Sequence, residues 1–338
     1  MADNVLDQII EKLRSSGSAY FPQHSELQTV RVVGHTPKPD QCTYEIVLDF
    51  ERDSERVSAK IYRGAKSISR VQLLAKSELD NLNFAYQACS KRKLGGVPRP
   101  IGDFTELGAV LSTKINGLPL QSILMKVALL PQSGNQGLLR KAATQAGEWL
   151  QQFHKATSAP PTLLDTPAIL TEMETLCLKA QKEGLPAQST QAILDNARSQ
   201  LSLHKRPMRS SAVLQEFIPL NVLVSEDSIG FADFAAMRQP GNSLLDAAIF
   251  LAAVEALEKY PFCERSITTP VQAAFLEGYG VNGQDQPLLT VLKMKVLLQM
   301  FAQGRTGKET AVRKKVMWAN VMKRFIQQAA ERSMAPAA

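Results

Sequence analysis

Apolar and polar residues alternate through the first third of the chain, a pattern typical of β-strands. In TYEIVLDF, residues 43–50, the second, fourth, sixth and eighth residues are apolar. After the polar turn ERDSER, VSAKIYRG at 57–64 alternates again and places Lys60 opposite the apolar face of a second strand. A helical pattern follows over 69–89, and the apolar run GAVLSTKI predicts a short strand over 108–115.

The spacing of apolar residues becomes helical from about residue 120. In KAATQAGEWLQQFHKAT, apolar side chains recur at i, i+3, i+4 and i+7 from Ala146. A second helical stretch covers roughly 166–202, and the almost wholly apolar SLLDAAIFLAAVEALEKY is typical of a helix in the middle of a lobe. Between these two stretches, NVLV and IGFADF predict two short strands joined by SEDS.

These patterns predict an α+β fold with two lobes. Residues 1–115 are expected to form a small antiparallel-sheet lobe. That lobe begins with an amphipathic helix, because Val5, Ile9 and Leu13 recur at helical spacing. Residues 116–338 are expected to form a larger, mostly helical lobe that includes the polar hairpin between the two short strands.

The composition excludes several classes of protein. A chain of 338 residues with 44% hydrophobic residues can bury a sizeable core and does not have the composition of a disordered protein. No apolar run approaches the roughly 20 residues that span a bilayer, so we expect no membrane span. Acidic residues interrupt the N-terminal apolar positions, which argues against a signal peptide. The dispersed cysteines and histidines argue against a disulfide framework or a zinc site and favour a cytoplasmic location.

The net charge of +7 raises the question of a nucleic-acid partner. The densest basic region, RKKVMWANVMKRF at 313–325, has Met317, Val321 and Phe325 on one helical face. We interpret its charges as the solvated face of a core helix and expect no nucleic acid to bind. GRTGKET at 304–310 is similar to a phosphate-binding P-loop, but the first glycine and the magnesium-binding hydroxyl are missing. We interpret it as a polar turn between helices.

Candidate chemistry comes from five polar residues and their order along these elements. Lys60 lies on the second strand, and Glu78 lies on the helix that follows. Glu216, Asn221 and Asp233 occur in VLQEFIPLNVLVSEDSIGFADF, around the two short strands. This order of elements and residues resembles the aminoglycoside phosphotransferase and choline kinase group of the protein-kinase-like fold. The resemblance covers most of the chain.

The resemblance implies a nucleotide site in the sheet lobe. Lys60 would hold the α- and β-phosphates of ATP, and Glu78 would pair with that lysine. VLSTKINGLPL is similar to the hinge of these enzymes, where backbone groups near Lys114 and Ile115 would meet the adenine. The turn that would cover the phosphates is poor in glycine, with Gly34 the only one beside HTPKPDQ.

The resemblance also implies a catalytic loop that works with Mg²⁺. The family pattern is H-G-D-x-x-x-x-N, and this chain has Leu214, Gln215 and Glu216 followed by Asn221. Asn221 and Asp233 fall where the two magnesium ligands are expected, and oxygen donors suit that cation. Glu216 would orient the acceptor hydroxyl and take its proton.

The loop departs from the family pattern at three successive positions. Glu216 replaces an aspartate and adds a methylene, and a misplacement of about 1 Å can cost on the order of 10²-fold in rate. Leu214 and Gln215 replace the histidine and glycine that normally brace the loop. Asp246, in SLLDAAIF, is similar to the structural aspartate of the family.

Two functions are compatible with these residues. The first is an ATP- and Mg²⁺-dependent phosphotransferase that acts on a hydroxyl of a small molecule such as a sugar, an amino alcohol or an antibiotic. The alternative is a pseudo-kinase that binds nucleotide or a partner without transfer. ATP turnover that is lost in an Asp233→Ala variant distinguishes the two. Acidic and basic residues are balanced over 160–210, which disfavours a polycationic aminoglycoside as the acceptor.

Overall fold

The computed structural model describes residues 2–64, 67–130, 135–202, 204, 206–226, 228–260, 262–306, 322–324, 326–327 and 330–331. The helices and strands of these residues are, in chain order, α1 Ala2–Tyr20, β1 Leu27–Pro37, β2 Gln41–Phe50, β3 Ser54–Tyr62, α2 Ile68–Lys91, β4 Ala109–Thr113, β5 Leu118–Pro119, α3 Leu120–Leu129, α4 Gln136–Ala156, β6 Ala159–Leu163, α5 Thr166–Lys182, α6 Ala187–Ser202, β7 Pro207–Val213, β8 Val222–Val224, β9 Ile229–Phe231, β10 Arg238–Asn242, α7 Leu244–Ala256, α8 Arg265–Tyr279 and α9 Gln286–Thr306. The chain divides into two compact units. The first comprises Met1–Gly117 and Ser225–Met237, and the second comprises Leu118–Val224 and Arg238–Ala338.

The first unit is built on a four-stranded antiparallel sheet in the order β1-β2-β3-β4. Its apolar face, which includes Ile46 and Leu48, is buried against the side chains of Ile9 and Leu13 from α1. The alternation predicted for the strands and the amphipathic N-terminal helix are both confirmed. Burying both sets of side chains removes their apolar surface from water, which stabilises this unit.

Two elements of the first unit carry the polar residues of interest. Lys60 lies on β3, which runs between β2 and β4, so its backbone is held on both sides. Helix α2 begins after Ser67, whose side chain accepts a backbone N–H of the first turn. Glu78 lies on the buried face of α2 with Leu79 and Leu82, and it is only 3% exposed. A buried carboxylate requires a partner, which the site below supplies.

Helices dominate the second unit. Helix α7 is buried along most of its length, as its apolar sequence predicts. Helices α4 and α8 approach very closely at Gly147 and Gly278, where a Cβ atom on either glycine would overlap backbone atoms of the facing helix. The predicted α+β organisation, an antiparallel sheet followed by a mostly helical region, is therefore confirmed.

The structure corrects two sequence predictions within the second unit. The helical stretch 166–202 is divided into α5 and α6, because Gly184 adopts a left-handed φ of +97° and Pro186 follows it. The region after residue 120 also contains a three-stranded sheet, β10-β7-β6, that the apolar spacing did not reveal. Strands β6 and β10 contain prolines, which are typical of edge strands and weaken the sequence signal.

The predicted strands NVLV and IGFADF are present as β8 and β9. Most of the basic segment 313–325 and residues 307–310 of GRTGKET lie outside the described residues. Residues 304–306 form the end of α9. None of the helices in the described part of the chain has the length and apolar character needed to cross a bilayer.

Candidate active site

Lys60 is the centre of a cluster of charges in the first unit. Its Nζ donates hydrogen bonds to Glu78 Oε1 at 2.9 Å and to Asp233 Oδ1 at 3.1 Å. The side chains of Lys60 and Glu78 are 12% and 4% exposed, whereas that of Asp233 is 25% exposed. The structure thus brings together three residues that the sequence places on three separate elements. The carboxylate of Asp233 is the one that solvent or a ligand can reach most readily.

The ionisation of this cluster follows from its contacts. Burial by itself would lower the pKa of Lys60, but Glu78 and Asp233 more than offset it, so the pKa of the lysine is raised. Burial would raise the pKa of Asp233, but attraction to Lys60 and its hydrogen bond lower it overall. At neutral pH, Lys60 is therefore an ammonium and Asp233 a carboxylate.

Tyr62 is a member of this cluster that the sequence analysis missed. Its hydroxyl donates to Glu78 Oε2 at 2.6 Å, so both oxygens of that carboxylate are engaged. Burial, followed by the charge of Glu78, raises the pKa of the Tyr62 hydroxyl, which keeps it protonated as a donor. A signal was present, since Tyr62 is two residues from Lys60 and faces the same side of β3.

The segment after β9 positions Asp233. The backbone N–H of Phe231 donates to Gly96 O at 2.9 Å, and the N–H of Ala235 donates to Asp233 Oδ1 at 3.3 Å. Asn81 Nδ2 donates to the carbonyl oxygens of Phe234, at 2.9 Å, and of Met237. Asn81 was also missed, although it follows Glu78 by three residues and so lies on the same face of α2.

The two predicted hinge residues have separate contacts in the first unit. The backbone N–H of Lys114 donates to Arg56 O at 2.8 Å, and its Nζ donates to Glu45 Oε2 at 2.7 Å. The side chain of Ile115 lies so close to Gly230 that a Cβ atom there would overlap it. Since the N–H of Lys114 is already bonded, a hydrogen bond between its backbone and adenine would use its carbonyl oxygen. The adenine-binding role of both residues stays a prediction.

In the second unit, Asp246 braces the segment that would form the catalytic loop. Its two carboxylate oxygens accept the backbone N–H groups of Leu214 and Gln215, each at 2.8 Å. His154 Nε2 lies 3.1 Å from Asp246 Oδ2, and His154 Nδ1 lies 2.9 Å from the Tyr279 hydroxyl. All of these polar groups except Gln215 are buried. The backbone at Leu214, where the family pattern has histidine, is thus held by an aspartate on α7.

The backbone turns sharply at Gln215. This residue has a φ of +62°, the left-handed conformation for which glycine is favoured, and it stands where the family pattern has glycine. Glu216 is exposed, and its carbonyl oxygen accepts from Ile218 N at 2.8 Å and from Asn221 Nδ2 at 3.0 Å. The structure therefore joins Asn221 to the backbone of Glu216 through the amide nitrogen, which leaves the amide oxygen for another ligand.

The residues present fit Mg²⁺ and a nucleotide by their chemistry. Asp233 offers a partly exposed carboxylate and Asn221 an amide oxygen, and Mg²⁺ typically takes one or two such protein ligands together with phosphate oxygens. Lys60 supplies a cation of the kind that binds phosphates. Within the described ranges, no three His, Cys, Asp or Glu side chains cluster to hold a metal by themselves. The assignment of Asn221, Asp233 and Glu216 to their roles stays a prediction.

Comparison with known proteins identifies the fold. No protein-family model and no curated protein sequence matches the chain. Solved structures do match it in fold. The ADP-bound aminoglycoside phosphotransferase APH(2'')-Ib has 12% identity and a TM-score of 0.55, over 97% of this chain and 99% of its own.

Two further structures extend the comparison beyond aminoglycoside enzymes. The amicoumacin kinase hAmiN, in complex with AMP-PNP, Ca²⁺ and Ami, has 14% identity and a TM-score of 0.54, over 97% of this chain and 96% of its own. A choline kinase from Cryptosporidium parvum has 13% identity and a TM-score of 0.53, with the same coverage. The chain therefore has the protein-kinase-like fold of the aminoglycoside phosphotransferases and choline kinases, as the order of its polar residues predicted.

Proposed function

We propose that the protein is an ATP- and Mg²⁺-dependent phosphotransferase that phosphorylates a hydroxyl of a small molecule. The observation that carries the proposal is the cluster of Lys60, Glu78 and Asp233 in the first unit. A lysine bonded to a helix glutamate and to an aspartate after a strand is the arrangement that phosphoryl transfer uses to position phosphates. Structures with the same fold include kinases crystallised with ADP, with AMP-PNP and with glucosamine.

Each residue has a distinct task in this proposal. Lys60 would bind the phosphates of the nucleotide, and Glu78 would hold Lys60 in place. Asp233 and Asn221 would bind Mg²⁺, which when present neutralises phosphate charge. The sheet lobe predicted for residues 1–115 would supply Lys60 and Glu78.

Glu216 would act on the acceptor. Its carboxylate is at an exposed position, where it would orient the attacking hydroxyl and accept its proton. The left-handed backbone at Gln215 and the two bonds to Asp246 determine the direction in which the chain enters Glu216. We infer that this braced turn compensates for the extra methylene of glutamate.

The test is the melting temperature with and without Mg·ATP, for the wild type and for Asp233→Ala. A ligand that binds the native state stabilises it by about 2.7 kcal/mol when its free concentration is 100-fold above Kd. We expect a magnesium-dependent rise in the wild type that Asp233→Ala abolishes. Asp80→Ala is the matched control, since Asp80 is an exposed residue of α2 that pairs with Lys76.

Release of ADP then separates an enzyme from a binding protein. Steady ADP formation that requires an added acceptor and disappears in Asp233→Ala supports the proposal. A rise in melting temperature without any turnover would identify a nucleotide-binding protein that has lost transfer. No rise at millimolar Mg·ATP would show that the proposal is wrong.

The four cysteines support a reducing compartment as the location. Cys42, Cys89, Cys177 and Cys263 are all free and buried. Burial raises the pKa of Cys89 to about 12 and that of Cys177 to about 11, which makes both thiols poor nucleophiles. We propose the cytoplasm, where free thiols persist.

A further inference from the structure

A large groove in the second unit contains the proposed catalytic glutamate. Its volume is about 1070 Å³, and its wall includes Gln215, Glu216 and Ile218 from the braced turn. Sites for small molecules commonly measure about 300–1,000 Å³, so this groove has room for a metabolite larger than an amino alcohol. Residues from α5, α7, α9 and β10 complete the wall.

The charged side chains of the groove are mostly basic. Among the described residues that line it, four are cationic and three are carboxylates; the cations are Lys179, Lys182, Arg238 and Lys295, and the carboxylates are Glu172, Glu183 and Glu216. Lys295 forms an ion pair with Glu172, so this pair is internally neutral. Outside this pair, the groove has three cations and two carboxylates. One of these carboxylates is Glu216, which would accept the proton of the acceptor hydroxyl.

The basic residues converge from separate elements. Lys179 and Lys182 lie in the last turn of α5, where positive charge also stabilises the end of a helix. That effect does not account for Arg238, which begins β10, or for Lys295, which lies on α9. Helix-end stabilisation explains the two lysines of α5, whereas Arg238 brings a further cation to the groove from a second element, in addition to Lys295, which is paired with Glu172.

We propose that this groove binds the acceptor and that the acceptor carries an anionic group, a carboxylate or a phosphate, beside its reactive hydroxyl. Lys179, Lys182 and Arg238 would bind the anion, and the apolar side chains of Ile218, Leu245 and Ile249 would contact the carbon skeleton. A polycationic acceptor would instead meet the like charges of Lys179, Lys182 and Arg238, which disfavours binding. This inference rests on the proposed function for the role of Glu216, but the binding of an anion is measurable without turnover.

The test uses compounds that share a carbon skeleton and differ in charge. Glucose, glucosamine, glucuronate and glucose 6-phosphate form one set, and glycerol, glycerate and glycerol 3-phosphate form another. Binding is measured as a shift of melting temperature and by calorimetry at constant ionic strength, in the wild type and in a Lys179→Glu/Lys182→Glu variant. We expect at least one anionic member to bind and the neutral and cationic members of its set to bind at least tenfold more weakly. The carboxylate and phosphate members distinguish the two kinds of anion.

The double variant is expected to weaken the binding of that anion by about tenfold, since the change of each exposed charge lowers the affinity several-fold. Lys126→Glu is the matched control, because Lys126 is an exposed lysine in the last turn of α3 and does not line the groove. It should leave binding unchanged. The inference is wrong if no anionic member binds at millimolar concentration, if neutral or cationic members bind equally well, or if both variants weaken binding alike.

Failure of this inference is distinguishable from failure of the proposed function. Turnover with a cationic or neutral acceptor would overturn the anionic acceptor and support the phosphotransferase. Anion binding that requires Lys179 and Lys182, without nucleotide binding or ADP release, would support the groove as an anion site and overturn the phosphotransferase.

Discussion

At the scale of single residues, the environment decides the chemistry of each side chain. Lys60 is held by Glu78 and Asp233, so its ammonium is stabilised although it is mostly buried. At Lys259, burial lowers the pKa to about 8. The same residue type is therefore a stable phosphate-binding candidate at one position and a titratable group near neutral pH at the other.

The pKa of Lys259 predicts a pH dependence of stability. Between about pH 8 and the unfolded-state pKa of about 10.4, the unfolded chain binds a proton that the folded chain has lost. Stability that depends on this group therefore rises with pH across that window. We expect Lys259→Met to be more stable than the wild type at about pH 7, with a difference that shrinks as the pH approaches about 10.

Urea unfolding of both proteins across this pH range measures the difference. Lys126→Met serves as the control, because Lys126 is exposed, and its difference from the wild type should not change with pH. Parallel profiles for the wild type and Lys259→Met would show that the lysine is not desolvated in the folded protein.

The backbone conformation of Gln215 leads to a second prediction about a single residue. A residue other than glycine with a φ of +62° carries a conformational cost of about 1–2 kcal/mol. Gln215→Gly removes this cost but increases the entropy of the unfolded chain. We expect the free energy of unfolding to stay equal or to rise by up to about 1 kcal/mol.

The comparison for Gln215→Gly is Gln152→Gly, at an exposed position inside α4. There the same substitution should lower the free energy of unfolding by about 1 kcal/mol, because glycine is unfavourable within a helix. Equal losses in the two variants would contradict the left-handed conformation of Gln215.

At the scale of elements, the close approach of α4 and α8 depends on two glycines. A Cβ atom on Gly147 would overlap the carbonyl oxygen of Phe275, and one on Gly278 would overlap that of Thr144. Backbone atoms cannot move aside as a side chain can, so the helices would have to separate. The packing between them also holds Phe275 within the aromatic core around Phe250.

Gly147→Ala is therefore expected to destabilise the protein by about 1–3 kcal/mol. Gly137→Ala lies on the same helix in open space, where alanine should be neutral or stabilising by up to about 1 kcal/mol. Chemical denaturation of the two variants measures both values. A stabilising Gly147→Ala would show that the two helices are further apart than in the structure.

At the scale of the whole molecule, stability and the proposed site share one buried network. Asp246 on α7 accepts two backbone N–H groups from the segment after β7, and it contacts His154 on α4. Tyr279 at the end of α8 contacts the same histidine and donates to Ser243 O at 3.1 Å. Three helices of the second unit thus depend on one carboxylate that is inaccessible to solvent.

Asp246→Asn is expected to lower the free energy of unfolding by about 3 kcal/mol. An amide has only one acceptor oxygen, so a buried N–H group would lose its partner. Asp195→Asn, which removes an exposed carboxylate that bonds to Arg198, should cost less than about 1 kcal/mol. Denaturant unfolding measures the free energy of unfolding of both variants. Equal losses in the two would show that the buried network does not contribute to the stability of this unit.

Local patterns in the sequence determined much of this molecule. The alternation in the first third predicted the strands β2 and β3, and the apolar run GAVLSTKI predicted β4. The order of Lys60, Glu78 and Asp233 pointed to the protein-kinase-like fold. These features are readable because strand and helix periodicity are properties of neighbouring residues. The resemblance also identified Asp246 as a structural residue, although not which groups it bonds.

Only the tertiary structure decided the remaining features, because they depend on contacts between distant segments. The sheet β10-β7-β6 joins strands that are far apart in the chain and rich in proline, so its edges have no periodic signal. Tyr62, Asn81 and His154 acquire their roles from partners on other elements. The basic groove likewise exists only where α5, β10 and α9 meet, since its charges are dispersed in the sequence. Hydrogen bonds and packing between segments, which periodicity does not encode, determine the geometry of the site.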